Sequence, residues 1–411
     1  MPPGLPTDSA LYNAPVRILI SAGEASGEMY GAQLIEALRR SDPLLEFFGV
    51  GGEKMRTAGC HTQVDARDLS VVGITEILSH LPRIWGLFHK LMAEADKRKP
   101  DLAIVIDSPA FNWRVARRMK KRGIPVVYYV CPQFWAWRQG RVRLLRKYVD
   151  KALVIFPFEE KFYRERGVNA EFVGHPLAEL PRPAISRAQY AAKFGLNPAK
   201  HWITLMPGSR TKEVGMNLPG ILQAAELLSN DYEFVLPLAP TLNSGFVQHL
   251  VDSHPSKSAK PGAAADGVVQ KRALAHLVPE ALSALTHSRA GIIASGTATV
   301  EAAMMETPFV MVYRVTPLTY WLGRSTVKVP HFAMVNLIAG AKIVPELVQQ
   351  EFTAESVVSE LNKIIPDGES REKMLNGLRR VRTQLRGDVS RQAHPADRAA
   401  DAVLDLLRLT R

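Results

Sequence analysis

Short apolar runs alternate along the chain with stretches in which apolar side chains recur every three or four positions. Runs of the first kind predict strands covered on both faces, and the second kind predicts amphipathic helices. VRILISAG (16–23) predicts a strand, and MYGAQLIEALRR (29–40) predicts the helix after it. EFFGVGG (46–52) predicts a second strand closed by a glycine turn. A long stretch read as helical leads to a third strand, LAIVID (102–107). RVARRMKKRG (114–123) predicts a helix stopped by glycine, and IPVVYYV (124–130) a fourth strand, with ALVIFP (152–157) and EFVG (171–174) following.

The pattern then restarts. Pro181, Pro183 and Pro198 mark residues 178–198 as a domain junction. WITLMPGSR (202–210) predicts a new strand with a glycine turn, followed by a helix near 217–229. YEFVLPL (232–238), AGIIASG (290–296) and PFVMVYR (308–314) predict further strands. SHPSKSAKPGAAADG (253–267) reads as a surface loop, and 353–411 as two or three helices without strands. The fold expected is α/β: two doubly wound parallel-sheet domains facing a central cleft, with helices at the C-terminus. Expected boundaries are 16–180, 200–352 and 353–411, the last packing back towards the first domain.

Composition narrows the picture. With 411 residues, 46% hydrophobic and 22% charged, the chain is neither disordered nor collagen-like. No window approaches the roughly 18 consecutive apolar residues of a spanning helix. The N-terminal MPPGLPTDSALYNAP lacks the basic start and apolar run of a secretory signal. Cys60 and Cys131 are too few for a disulfide framework or a four-cysteine zinc site, so a reducing cytosol is expected. Against 40 acidic residues stand 52 Lys and Arg, a net charge of +12, which suggests an anionic partner. Twelve of those bases lie between Arg114 and Lys151, with Asp150 the one acid among them. That stretch is either a solvated helical face or an electropositive patch.

In parallel α/β sheets ligands bind beyond the carboxyl ends of the strands, so the residues just after each strand carry the candidate chemistry. Gly23-Glu24-Ala25-Ser26-Gly27-Glu28 is a glycine turn fit for a phosphate or a tight βα turn without a ligand; it is not a dinucleotide fingerprint. Asp107 ends a strand ahead of Ser108-Pro109-Ala110-Phe111-Asn112. It is either a base for a hydroxyl nucleophile or a helix cap. Pro132-Gln133-Phe134-Trp135-Ala136-Trp137-Arg138 is an aromatic loop for an apolar acceptor or a lipid interface, or ordinary packing at a domain edge. Gly208-Ser209-Arg210 and Ser295-Gly296-Thr297 offer backbone donors, a guanidinium and helix starts to a nucleotide diphosphate. Glu301, one turn on, suits the two hydroxyls of a ribose. The eleven histidines are scattered and no D-x-D motif follows a strand, so neither a metal nor another cofactor is expected.

The blocks SAGEASGE, GVGGEKM, VVGITEIL, IDSPAFN, PQFWAWRQGRV, FVGHPL, MPGSR and ASGTATVEAAM occur in the order found in the lipid-A-disaccharide synthases. The chain resembles that family, inverting glycosyltransferases of the two-Rossmann-domain GT-B class, from about residue 16 to 350 and more loosely beyond. The resemblance implies transfer of 2,3-diacylglucosamine from UDP-2,3-diacylglucosamine to 2,3-diacylglucosamine 1-phosphate. The products are a β-1,6 disaccharide 1-phosphate and UDP, formed with inversion at the cytoplasmic face of the inner membrane. It implies an acceptor-binding N-terminal domain and a UDP-sugar-binding C-terminal one.

By similarity Asp107 is the base for the acceptor 6-hydroxyl and Arg210 neutralises the departing diphosphate. Glu24, Ser26 and Gly27 lie in the family's first glycine-rich loop, and Asn336 of HFAMVNLIAG matches a functional asparagine. Trp135, Trp137, Arg138 and Arg141 are expected at the acceptor or membrane surface. So is the apolar and basic segment 77–92, unless it is a core helix. The family's D-x-P-D-F-N has Ala110 in place of its second Asp here, and Glu28 replaces the usual Asp. Oligomeric state stays open, a homodimer included. Three rivals remain: a UDP-sugar 2-epimerase, a nucleic-acid-binding protein, which the absence of any recognised module disfavours, and a catalytically inert lipid-binding relative.

Overall fold

The structure is a computed structural model that describes residues 15–23, 25–69, 74–179, 182–228, 231–239, 241–254, 274–317, 320–321, 329–387 and 394–410. Glu24, Pro181 and residues 255–267 of the expected surface loop lie outside the described residues. The chain forms two compact units, Met1–Pro176 with Arg386–Arg411, and Leu177–Leu385.

The first unit is built on a seven-stranded parallel sheet in the order β3-β2-β1-β4-β5-β6-β7. Its strands are β1 Arg17–Ala22, β2 Glu46–Gly51, β3 Cys60–Asp65, β4 Leu102–Ile106, β5 Val126–Tyr129, β6 Lys151–Val154 and β7 Ala170–Phe172. Every residue of LAIVI in β4 is buried, the pattern of a strand covered on both faces. The helix Pro109–Lys121 begins five residues before its expected start. Proline at its first position costs no hydrogen bond there. The second unit carries a six-stranded sheet, β10-β9-β8-β11-β12-β13. These are β8 His201–Met206, β9 Tyr232–Pro237, β10 His276–Val278, β11 Ala290–Ala294, β12 Phe309–Tyr313 and β13 Glu346–Val348. All its pairings are parallel. The helix expected near 217–229 spans Thr211–Leu227.

Three strands carry no signal in the sequence. β3, CHTQVD, is an edge strand with mostly half-exposed side chains, so it lacks an apolar run. β10 and β13 are three residues each, too short for any periodicity. The junction also differs from expectation. The first unit ends at Pro176, and the helix Arg187–Phe194 belongs to the second. Ser186 and Gln189 cap that helix reciprocally and Gly195 ends it. Its Tyr190 packs with Leu196 and the fully buried Trp202, and Arg187 lies 3.8 Å over the Trp202 ring.

The segment after 352 is not one body packing backwards. The helix Ala354–Ile364 buries Val357 and Leu361 within the second unit. The long helix Glu369–Arg386 ends where the chain returns to the first unit. The helix Pro395–Thr410 packs on the first unit, along the helix Ala25–Ser41. There Arg398 donates to the carbonyls of Val173, at 2.7 Å, and Arg386, at 2.6 Å. Among the described residues no helix is long and apolar enough to cross a membrane.

Gly49 in β2 has φ +147°, and a Cβ there would lie 2.0 Å from the carbonyl oxygen of Ile20 in β1. Gly49→Ala is therefore expected to destabilise the first unit by about 3 kcal/mol or more. Thermal melting would check this, and an unchanged melt would show that β1 and β2 are not so closely spaced.

Candidate active site

In each sheet the chain order reverses beside the first strand of the unit: between β1 and β4 in the first, and between β8 and β11 in the second. At such a switch point the two following loops diverge and leave a crevice at the strand ends. The loops after β1 and β4 hold Ser26, Gly27 and Asp107. Those after β8 and β11 hold Gly208, Ser209, Arg210, Ser295, Gly296 and Thr297. Each unit thus brings its own expected residues together.

Asp107 leaves β4 with φ +48°, and Ser108 follows at +44°. Two successive non-glycine residues in the left-handed region cost on the order of 1–3 kcal/mol each and persist only where surroundings hold them. Fixed partners surround this turn. The Asp107 N–H donates to Tyr129 O at 3.1 Å, and its carbonyl accepts from the Tyr128 hydroxyl at 2.9 Å and from Asn112 Nδ2 at 2.9 Å. Asn112 is fully buried. Its amide also donates to Ile106 O at 2.7 Å and Ser21 O at 3.1 Å, and its Oδ1 accepts from Ser21 Oγ at 2.6 Å.

One amide thus ties the end of β1 to the end of β4 beneath the Asp107 turn. Across the crevice Gly23 stands so near that an added Cβ would lie 2.6 Å from Ser108 Oγ. Ser26 is exposed and Gly27 is buried. The Glu28 carboxylate accepts from Lys54 N at 2.8 Å, at the start of the helix Glu53–Thr57. Ala110 is exposed, so a methyl in place of a carboxylate leaves no buried gap.

In the second unit Arg210 precedes the helix Thr211–Leu227. Its side chain is 75% exposed and pairs with Glu213 at 3.0 Å. Glu213 also accepts the Ser209 N–H at 3.2 Å, and Ser209 O accepts from Thr241 Oγ1 at 2.6 Å. The buried Asn217 accepts from Arg314 N at 2.8 Å and donates to Pro207 O at 3.1 Å. Gly296 and Thr297 are exposed ahead of the helix Ala298–Met305, while Ser295 Oγ donates to Phe332 O at 2.8 Å. Glu301, in that helix's first turn, has its carboxyl pushed up to about 7 by burial. Among the described residues no group of three or more His, Cys, Asp or Glu is arranged to hold a metal.

Two expected positions are corrected. Asn336 is fully buried, and both ends of its amide are used inside the protein. Oδ1 accepts from Ile343 N at 2.8 Å and Val344 N at 3.0 Å, while Nδ2 donates to Val344 O at 2.9 Å and Glu346 Oε1 at 2.8 Å. It ties the helix Met334–Ala339 to the chain that leads into β13. Trp135 is not at the surface. It is 6% exposed, and its indole N–H donates to Glu159 Oε1 at 2.8 Å. Trp137 is the exposed member of the pair, with the Arg138 guanidinium 4.4 Å over its ring, and Arg141 is exposed beyond it.

Glu159 had no signal in the sequence, since it sits 24 residues from the tryptophan it holds. Its Oε2 accepts from Ile155 N at 3.2 Å and Phe156 N at 3.1 Å, capping the helix Pro157–Arg164. His175 of FVGHPL is likewise interior, its pKa lowered to about 3 by burial beside Phe156. Within 77–92, Phe88, Leu91 and Met92 are buried in the helix Ile74–Arg98, and Trp85 is 51% exposed. The exposed Trp85 stacks on Phe88, which also meets Phe111 edge-on, close behind the Asp107 turn.

Replacing Asn112 by alanine strands carbonyls at the ends of both β1 and β4, at an expected cost of about 2–3 kcal/mol in thermal melting; a melt like wild type would show that the amide is dispensable. Glu159 supplies a pH test. Burial raises its pKa from 4.5 to about 7, outweighing the three hydrogen bonds that favour the anion. The folded protein therefore holds a proton that the unfolded chain has lost between those pH values. Stability is expected to fall by roughly 3 kcal/mol as pH rises through that window, and to level off above it. Glu159→Gln should lack this component when the two melting profiles are compared, and identical pH profiles would refute the assignment.

The family described as lipid-A-disaccharide synthetase matches residues 18–400. A lipid-A-disaccharide synthase of Koribacter versatilis is 51% identical over 392 residues, covering 95% of this chain and 98% of the relative. One of Acidobacterium capsulatum is 50% identical over 371 residues, covering 90% and 91%. Among solved structures, a putative UDP-N-acetylglucosamine 2-epimerase of Listeria monocytogenes superposes with a TM-score of 0.59 at 14% identity, covering 95% of each chain. The calicheamicin glycosyltransferase CalG4 gives 0.55 at 15% identity, covering 96% and 98%. These two likenesses establish the two-Rossmann-domain architecture alone, whereas the sequence relationship runs through every loop described above. The chain belongs to the lipid-A-disaccharide synthase family of glycosyltransferases.

Proposed function

We propose that the chain transfers 2,3-diacylglucosamine from UDP-2,3-diacylglucosamine to the 6-hydroxyl of 2,3-diacylglucosamine 1-phosphate. The observation that carries this reading is a carboxylate, Asp107, on a strained turn fixed by buried hydrogen bonds at the switch point of the first sheet. Asp107 takes the proton of the acceptor hydroxyl as its oxygen attacks the anomeric carbon from the face opposite the diphosphate. The bond to UDP breaks in the same displacement, which inverts the configuration and needs no covalent intermediate. The second unit receives the charge that leaves with UDP. Arg210 exchanges its exposed pairing with Glu213 for the diphosphate, and the N-termini of the helices Thr211–Leu227 and Ala298–Met305 add their dipoles. Glu301 takes the ribose hydroxyls.

The acceptor carries a phosphate and acyl chains, and the first unit offers chemistry for both. Of the basic residues between 114 and 151, Lys120 pairs with Asp150, Arg122 with Asp96 and Lys151 with Glu171. Among the described residues the rest make no ion pair. Arg143, Arg146, Lys147 and Tyr148 line an open surface cavity of about 530 Å³. These bases, and the exposed Trp85 and Trp137, suit a peripheral position on the anionic inner surface of the inner membrane.

Release of UDP from the two diacylated sugars tests the reading. Wild type is expected to turn over, and Asp107→Ala to lose about 10²–10⁴-fold in kcat while still binding UDP. A near-unchanged mutant would place the base elsewhere. A wild type that makes no disaccharide would bring forward the inert relative, with Ala110 as its cause.

A further inference from the structure

We infer that Glu346 is a positioning residue for the donor side of the site, acting through the peptide of Phe332 on Ser295. The inference rests on the reading that the second unit binds the UDP-sugar. Glu346 opens the edge strand β13, and its side chain is 11% exposed. Its Oε1 accepts from Ala333 N at 2.9 Å and from Asn336 Nδ2 at 2.8 Å. The Phe332 N–H is shared between both carboxylate oxygens at 3.1 Å. His331 Nδ1 stands 3.8 Å from Oε1.

The helix Met334–Ala339 has an alanine at its N-cap and no cap of its own. Glu346, distant in sequence, supplies the missing acceptor. The Phe332 carbonyl faces the other way and accepts from Ser295 Oγ at 2.8 Å. A continuous path therefore runs from the Glu346 carboxylate through one peptide group to the residue directly before Gly296 and Thr297. Those two exposed residues open the helix expected to meet the diphosphate. Asn336 closes the path from behind by fixing Ile343 and Val344, which lead back to Glu346. This explains how a fully buried asparagine serves a site that it does not line.

Glu346→Gln keeps the shape and turns one acceptor oxygen into a donor aimed at backbone N–H groups. With UDP as the probe in calorimetric titration, the variant is expected to raise Kd about tenfold. It should raise the KM for the UDP-sugar with little change in kcat. Ser295→Ala cuts the far end of the same path and should raise Kd by about threefold. The double variant should lose less than the product of the two effects, because both break one path. Independent, multiplying effects would overturn the inference, as would a folded Glu346→Gln with wild-type Kd and KM. Should Glu346→Gln fail to fold, Glu346→Asp carries the test: an intermediate Kd supports the inference and a wild-type Kd overturns it. A wild type that binds no UDP would sink the donor-site reading and this inference together.

Discussion

The structure depends on satisfying backbone groups at the carboxyl ends of its parallel strands. A strand that stops leaves carbonyls and N–H groups beneath the loops, buried where water does not reach, and each one unpaired costs about 1–3 kcal/mol. Three buried asparagines meet that demand. Asn112 binds the carbonyls of Ser21, Ile106 and Asp107 at the ends of β1 and β4. Asn217 binds Pro207 after β8 and Arg314 after β12. Asn336 holds the approach to β13. The amide suits the task because it donates and accepts at once and carries no charge to desolvate. The loops that carry the chemistry are shaped by these interior residues.

That arrangement explains what could be read from the sequence and what could not. Strands such as LAIVI and RILISA declare themselves, because burial on both faces demands an apolar run. The loops after them were legible for the same reason: once a strand end is found, the residues beyond it are the candidates. Asn112 stood in a recognised motif, yet its own partners are 91 residues away at Ser21 and five or six away at Asp107 and Ile106. Nothing in local spacing announces such a bridge. Trp135 misled in the opposite direction, since an aromatic beside arginine reads as surface. Only the fold brings Glu159 beneath its indole N–H.

Strain marks the strand ends of the first unit. Asp107 and Ser108 after β4, and Val130 after β5, all have φ between +44° and +56°. For a β-branched residue such as Val130 this region is a marked outlier. The adjoining loops turn together: Asp107 N donates to Tyr129 O, and Val130 N donates to Leu153 O. Relaxing one would break a hydrogen bond to the next. Backbone bonds thus fix the turn from which the Asp107 side chain leaves.

A shared fold gives way to a particular reaction in the loops at its strand ends. An epimerase and a transferase of this architecture both hold a nucleotide diphosphate, and Gly208–Arg210 with Ser295–Thr297 would serve either. Activating the hydroxyl of a second sugar is a task that only the transferase has. The residues proposed for it, Asp107 with Asn112 and Tyr128 behind, lie in the first unit. The basic and aromatic residues around 113–148 lie there too. Architecture at 14% identity therefore leaves the reaction open, and in the proposed reading the loops after β4 and β5 are where the choice is made. Ala110 fits this division. It is exposed in the first turn of its helix and makes no side-chain contribution to the buried bridge beneath Asp107, so the second carboxylate of the family motif can be lost without disturbing the first.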